Sequence, residues 1–260
     1  MTARTFLIQG LLAGLLAGFA AFLVAHQVGE PPVDAAIAVE EHATEHTHDD
    51  GSDAPAAHHH EEGGTVVSRQ NQSTWGLLTG TLAIGTALGG LVGLAAAAAV
   101  GRFGRMRASQ STALMALVGF VAVALVPFLK YPATPPAVGD PDTIGHRTGV
   151  YFTFLAISVL TAIVATAVAA RLLPALGAYR TVLVAVGGYL LVTATTAALM
   201  PVVNEVGDFP AATLWEFRRA SLLTLATMWA GIGVVLVGLV GRTQEKVAVA
   251  NARRELAAAL

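Results

Sequence analysis

The chain has 260 residues, of which 55% are hydrophobic and only 12% charged, whereas a soluble domain carries about 25% charged residues. The formal net charge is −2, and no basic patch is interleaved with aromatic residues, which argues against nucleic-acid binding. The absence of cysteine excludes disulfides, thiolate metal sites and cysteine nucleophiles. These features predict an all-α, polytopic membrane bundle that forms a single membrane domain over residues 1–260.

Six apolar stretches are long enough to cross a bilayer, since about 20 helical residues span a hydrocarbon core about 30 Å thick. A helix satisfies its own backbone hydrogen bonds, as a lipid environment requires. Each stretch is bounded by charge, proline or glycine. The predicted spans are residues 6–25, 75–100, 111–129, 150–173, 181–200 and 220–240.

The first stretch has a second interpretation, a cleaved signal peptide with Arg4 at its basic end. Its apolar run is long for a signal peptide, and no small-x-small cleavage site follows it. We therefore expect a retained span.

Lysine and arginine in the connections predict the orientation, because short cytoplasmic loops carry an excess of positive charge. An orientation with both termini in the cytoplasm places most of the 15 basic residues inside. The cytoplasmic set is Arg4, Arg102, Arg105, Arg107, Arg171, Arg180, Arg242, Lys246, Arg253 and Arg254.

Small residues recur every four positions on the first two spans, which predicts that these helices pack closely. An ion-conducting seam is the alternative. The spans carry no ionisable residue near their centres, which argues against proton-coupled transport by this chain alone. Buried serines and threonines are expected to bond helix carbonyls or neighbouring helices. The two stripes are Gly10, Gly14 and Gly18, and Gly85, Gly89, Gly93, Ala97 and Gly101.

A polar segment over residues 40–66 separates the first two spans and is rich in histidine and acid. Its composition predicts a loop that is disordered without a ligand, and the predicted orientation places this loop outside the cytoplasm. Imidazoles and carboxylates together favour capture of a divalent metal, although their spacing fixes no geometry. A solvated acidic linker or a tag-like HHH run is the alternative. The candidate ligands here are His42, His46, His48, His58, His59 and His60.

Each of the three predicted outer loops contains Val-Gly-acid followed by proline, at residues 28–31, 138–141 and 206–210. Three repeated two-helix hairpins would explain this signature, and chance is the alternative. One role is local geometry, with glycine in a turn and the acid as helix cap before proline. The other is a metal-binding vestibule, in which some acids pair with Arg147, Arg218 and Arg219. The vestibule candidates are Glu30, Asp34, Asp140, Asp142, Glu205 and Asp208, with His26 and His146 nearby.

Several of these loop sequences carry a resemblance to a known family. They are EPPVDAAI at 30–37, VSR at 67–69, PFLKYP at 127–132, PPAVGDPDTIG at 135–145, and DFP at 208–210 with LWEFR at 214–218. In these stretches the chain resembles the CbtA family, described as probable cobalt transporter subunits. The resemblance extends from the first span through the sixth.

The resemblance implies a membrane subunit for cobalt uptake, linked to cobalamin supply, working beside a small one-span, histidine-carrying CbtB-like subunit. Co²⁺ would be captured outside and cross along a Thr- and Ser-lined, Gly-rich interface, with Ni²⁺ or Zn²⁺ as alternative metals. The competing hypothesis is a non-transporting metal-binding accessory or scaffold. An enzyme is not expected, because no HExxH motif, catalytic triad or phosphate-binding loop occurs. No tightly bound cofactor is expected, and homo-oligomerisation is left open.

Overall fold

A computed structural model describes residues 1–46 and 68–259 of the chain. These parts contain helices and connecting loops and no strand, which confirms the all-α prediction. Three π-helical segments, Ala25–Gly29, Gln72–Gly76 and Phe120–Leu125, interrupt or precede α-helices, and Pro141–Thr143 forms a 3₁₀ turn. The α-helices are α1 Ala3–Val24, α2 Glu30–His46, α3 Arg69–Asn71, α4 Leu77–Ala99, α5 Ala108–Gly119, α6 Val126–Lys130, α7 Ile144–Leu199 and α8 Ala211–Ala258.

Five helical stretches in the described residues are long and apolar enough to cross a membrane. They are Ala3–His42, Arg69–Ala99, Ala108–Lys130, Pro141–Leu199 and Ala211–Ala258. The multi-span prediction is therefore confirmed in this form, and the fourth stretch contains both the fourth and fifth predicted spans.

Helix α7 folds back on itself at Gly177. This residue has φ 72° and ψ 169°, outside the helical region, and Pro174 lies just before it. In a straight helix, Ser158 and Tyr189 would lie about 46 Å apart, at 1.5 Å per residue. Their hydroxyl oxygens are instead 2.8 Å apart, so the two halves of α7 lie side by side.

Helices α1 and α4 pack with their backbones in contact along the two glycine stripes. A Cβ on Gly89 would lie 2.6 Å from the Gly14 Cα, and one on Gly85 would lie 2.8 Å from the Gly18 Cα. Any side chain would force the helices apart, because carbon atoms pack at about 3.5–4.0 Å. The packing interpretation is confirmed. A seam this close leaves no passage for an ion between α1 and α4.

The main core lies where α1 meets α4, α5 and α8. Phe6 is only 2% exposed, and Ile232, Leu236 and Val240 of α8 are fully buried. Trp229 packs directly on Gly119, where a Cβ would lie 2.5 Å from the indole ring. The glycine stripes thus let α1 pack closely on α4, and α8 packs on a second face of α1. A third face of α1, with Leu12, Leu16 and Phe19, stays exposed.

The π-helical segments lie just before prolines or at the start of spans. Pro31 lacks an N–H and would clash with a carbonyl one turn earlier in an ordinary α-helix. The Glu30 N–H instead bonds the Ala25 carbonyl, five residues back, and the helix continues through both prolines. The interpretation of Glu30 as a helix cap is therefore wrong, because Glu30 and Gly29 lie inside one helical run.

Helix α2 continues to His46, beyond the predicted end of the first span. The first residues of the segment predicted to be disordered, 40–46, are therefore helical. The rest of that segment lies outside the described residues. Helical structure is described again from Arg69, after the Ser68 cap.

Candidate functional site

The two loops at residues 131–143 and 200–210 lie against each other at one end of the bundle. Lys130 Nζ donates to the Met200 carbonyl at 3.3 Å, and the Tyr131 hydroxyl donates to the Pro201 carbonyl at 2.8 Å. Partial burial raises the pKa of the Tyr131 hydroxyl above its usual value. These bonds join the end of α6 to the end of α7.

Glu205 is the centre of the contact between these loops. Its Oε2 accepts from the Asp140 backbone N–H at 3.1 Å and from the Thr143 hydroxyl at 2.8 Å. The Arg147 Nε lies 3.3 Å from the same oxygen, and both side chains are partly buried. Glu205 therefore has its charge balanced by Arg147, as the sequence predicted for one of these arginines.

Arg147 also holds the loop before it in place. Its terminal nitrogens donate to the Val138 carbonyl at 3.4 Å and to the Asp140 carbonyl at 3.1 Å. The guanidinium lies against Gly139, which has φ 99° and no room for a Cβ. The positive φ favours glycine here, and a Cβ would also displace the Arg147 guanidinium.

Asp140 caps a helix, as the proline signature predicted. Its carboxylate accepts from the Asp142 N–H at 2.9 Å, and Pro141 follows as the first residue of the 3₁₀ turn. Asp142 and His146 are exposed beside it. Asp208 is exposed in a turn after Gly207, whose φ is 53°. Asp208 is not the cap of α8, because Pro210 takes that position.

Glu30 and Asp34 lie one turn apart on α2 and share a single arginine. Arg69 bonds Glu30, and its Nη2 donates to Asp34 Oδ1 at 2.9 Å. One turn away on each helix, His26 Nδ1 donates to the Ser73 carbonyl at 3.0 Å and its ring stacks on Phe22. Arg69 thus links the start of the second predicted span to the end of the first.

The histidine candidates have different positions. His42 is exposed on α2, and His46 is the last residue of that helix. His48, His58, His59 and His60 lie outside the described residues. Within residues 1–46 and 68–259, no three histidines, aspartates or glutamates are grouped so that they could hold one metal ion.

A cavity of about 520 Å³ opens between the joined loops and the helices α6, α7 and α8. Arg147, Glu205, Arg218, Tyr131 and Tyr151 line it together with threonines. Its apolar walls are Val123, Phe128, Phe152 and Leu225. Arg218 Nε donates to the Ala133 carbonyl at 3.4 Å, so the prediction that Arg218 pairs with an acid is wrong, and Arg219 likewise has no acid partner among the described residues.

A buried polar cluster lies deeper, where the third π-helical segment meets α7. The Val126 N–H bonds the Val121 carbonyl, and Pro127 has no N–H, so neither of these two backbone donors reaches the Ala122 carbonyl. The Ser158 hydroxyl supplies the missing donor at 2.8 Å. Because that uses its only hydrogen, the Tyr189 hydroxyl donates to Ser158 Oγ. This confirms the expected interhelical role for a buried serine.

The sequence alone did not reveal the Arg69 pairing or the part played by Tyr189. Arg69 is the arginine of the family-like VSR stretch at 67–69, and that was its only signal. Tyr189 lies in an apolar run with no motif around it. The proline at position 127 was the available signal for the orphaned carbonyl that Ser158 satisfies.

The family model described as "Probable cobalt transporter subunit (CbtA)" matches residues 3–241, nearly the whole chain. No curated protein and no solved structure matches the chain. The match covers every described helix from α1 to the apolar part of α8, and the chain therefore belongs to the CbtA family of probable cobalt transporter subunits.

Proposed function

We propose that the chain is the membrane-embedded subunit of a divalent-metal uptake system that carries Co²⁺ and serves cobalamin supply. The observation that carries this proposal is the CbtA family match over residues 3–241, on a chain with several apolar helices. Co²⁺ is cargo in this proposal, with Ni²⁺ and Zn²⁺ as competing cargo. No tightly bound cofactor and no enzymatic role is part of it.

The proposed topology has six spans in the cytoplasmic membrane with both termini inside. The side-by-side halves of α7 support two spans in place of one, because 56 helical residues would extend about 84 Å, far more than a bilayer core. This topology puts the loops at 131–143 and 200–210, together with the His-rich segment, outside the cell. It forms three hairpins opening outward.

In this proposal the outer carboxylates and imidazoles collect the metal. Glu30, Asp34 and the histidines of residues 42–60 lie along one outer connection, and Asp140, Asp142, His146 and Asp208 lie along the other two. The exposed side chains of Asp142 and His146 are free of described hydrogen bonds, which supports their availability as ligands. The tight α1–α4 contact argues against a route along the glycine seam.

A small one-span CbtB-like subunit is the proposed partner, in line with the family's description as a transporter subunit. The exposed apolar surface of α7, such as Leu191 and Leu183, is free for lipid or for such a partner. A homo-oligomer would use the same kind of surface.

The second candidate function is a non-transporting metal-binding accessory protein. It is favoured by the lack, within the described residues, of three grouped metal-ligating side chains. The two candidates differ in flux: an accessory protein binds Co²⁺ but never raises its entry, with or without a partner.

The experiment compares cobalt accumulation in cells that express the chain with its one-span partner. The variant with Asp140→Asn and Asp142→Asn is expected to lower accumulation more than deletion of residues 42–60. Glu255→Gln is the matched control, because Glu255 lies near the C-terminal end of α8, and it should leave cobalt accumulation unchanged. Wild-type accumulation in the double variant would contradict the assignment of these two acids.

A further inference from the structure

The 520 Å³ cavity has the wrong charge for a bare metal cation. Its charged lining residues are Arg147, Glu205 and Arg218. Glu205 is already balanced by Arg147 and accepts two further hydrogen bonds. Arg218 has no carboxylate partner among the described residues, and its only described bond is from Nε to the Ala133 carbonyl. The cavity therefore carries one uncompensated positive charge.

The neutral polar groups of the cavity also suit an anion. Three hydroxyl-bearing residues, Tyr151, Thr134 and Thr148, line it, and their hydroxyls make no hydrogen bond with the described residues. They can donate to a ligand oxygen, as can the terminal nitrogens of Arg218. Among the described residues, no histidine and no unpaired carboxylate lines the cavity. A divalent cation would find neutral oxygens and a net positive charge here.

We propose that this cavity is a binding site for an oxyanion, a carboxylate or phosphate group held by Arg218 and the hydroxyl of Tyr151. Its volume is in the range of ordinary ligand sites, about 300–1,000 Å³. A multi-carboxylate molecule or the headgroup of an anionic lipid fits that chemistry. The apolar walls at Phe128, Phe152 and Leu225 allow the rest of such a molecule to lie toward the bundle. The proposed metal-collecting acids do not line the cavity, although Asp140 bonds Glu205 and Arg147, which do. The proposal does not depend on cobalt transport.

In the first arm of the test, calorimetry measures the binding of citrate to the purified, delipidated chain. The second arm measures retention of phosphatidylglycerol against phosphatidylcholine in lipid nanodiscs. We expect at least one of these anions to bind, which also identifies its source. Arg218→Gln should weaken that binding about tenfold or more, since a hydrogen bond to a charged group contributes about 1.5–3 kcal/mol. Arg219→Gln is the matched control, because Arg219 is adjacent, exposed and absent from the cavity lining.

Arg218→Gln also loses the bond to the Ala133 carbonyl, so weaker binding by this variant could come from misfolding. A second variant separates the two causes. Tyr151→Phe removes only a hydroxyl without a described partner and should weaken anion binding by a smaller factor while the thermal stability is kept. Arg218→Lys should retain part of the affinity. The proposal is overturned if neither citrate nor phosphatidylglycerol binds preferentially. It is equally overturned if Arg218→Gln and Arg219→Gln bind alike, or if Tyr151→Phe binds like wild type.

Discussion

Substitution of Gly89 by alanine tests how the membrane bundle is held together. A methyl group there would lie 2.6 Å from the Gly14 Cα and closer still to the Gly10 carbonyl oxygen. Ordinary carbon contacts are about 3.5–4.0 Å, so α1 and α4 would have to separate by about 1 Å. Both contacting atoms belong to backbone, and neither can rotate away.

The magnitude follows from the control at Gly80 on the same helix. Within the described part of the chain, the position of Gly80 is open, since no atom lies within 4 Å of a Cβ built there. Both substitutions gain about 1 kcal/mol of helix propensity, and only Gly89→Ala adds the overpacking cost of about 1–3 kcal/mol. The difference between the two variants therefore isolates the contact between the helices.

The assay is equilibrium unfolding in mixed micelles of mild detergent and dodecyl sulfate, followed by tryptophan fluorescence. We expect Gly89→Ala to unfold with a free energy about 1–3 kcal/mol below that of Gly80→Ala. Equal stability of the two variants would show that α1 and α4 are not in backbone contact, and the packing argument would fail.

Three further predictions concern topology, the buried polar cluster and Arg69. The chain has no cysteine, so single introduced cysteines report topology directly. Tyr179→Cys should react with an impermeant thiol reagent only from the cytoplasmic side and Val202→Cys only from outside, and labelling of both from one side would contradict the fifth span, residues 181–200. Ser158→Ala should lower the free energy of unfolding by about 1 kcal/mol in the same assay. Thr161→Ala should lower it by less, because the Thr161 hydroxyl bonds only a carbonyl of its own helix. The reverse order would refute the interhelical role of Ser158. Arg69→Gln should raise the Co²⁺ affinity measured by calorimetry by up to about fivefold. The reason is that Arg69 competes with the metal for the carboxylates of Glu30 and Asp34, in a partly exposed pairing worth about 1 kcal/mol or less. A lower affinity would exclude these two acids as ligands.

The helical spans and their close packing could be predicted because both depend on local patterns. Hydropathy marks a span residue by residue, and a four-residue glycine spacing places small residues on one helix face. Asp140 was equally predictable, since an acid before proline suits a cap wherever the chain turns.

The same signature gave a wrong prediction at Glu30, because a helix cap requires that a helix begins there. The chain there is still helical, and a π-helical segment absorbs Pro31 without ending the helix. Whether a proline ends a helix or is accommodated within it depends on how the neighbouring helices pack, and the local sequence around the proline does not show that packing.

The loop contacts were only partly predictable for a related reason. That Arg147 would pair with an acid followed from the cost of an unpaired charge near a membrane. That the acid would be Glu205, and that Arg218 would instead contact a carbonyl, depends on how two loops more than 60 residues apart meet. The cavity they enclose has no signature in the sequence.

The central claim, that this chain forms part of a path for Co²⁺, is tested most directly by metal entry into sealed vesicles. Purified chain and its one-span partner are reconstituted together, and the initial rate of Co²⁺ entry is compared with that of vesicles lacking protein. The account predicts faster entry with both subunits present, and less of it when Ni²⁺ or Zn²⁺ competes. Entry no faster than in empty vesicles, from a preparation that still binds Co²⁺, would contradict transport and support the accessory role.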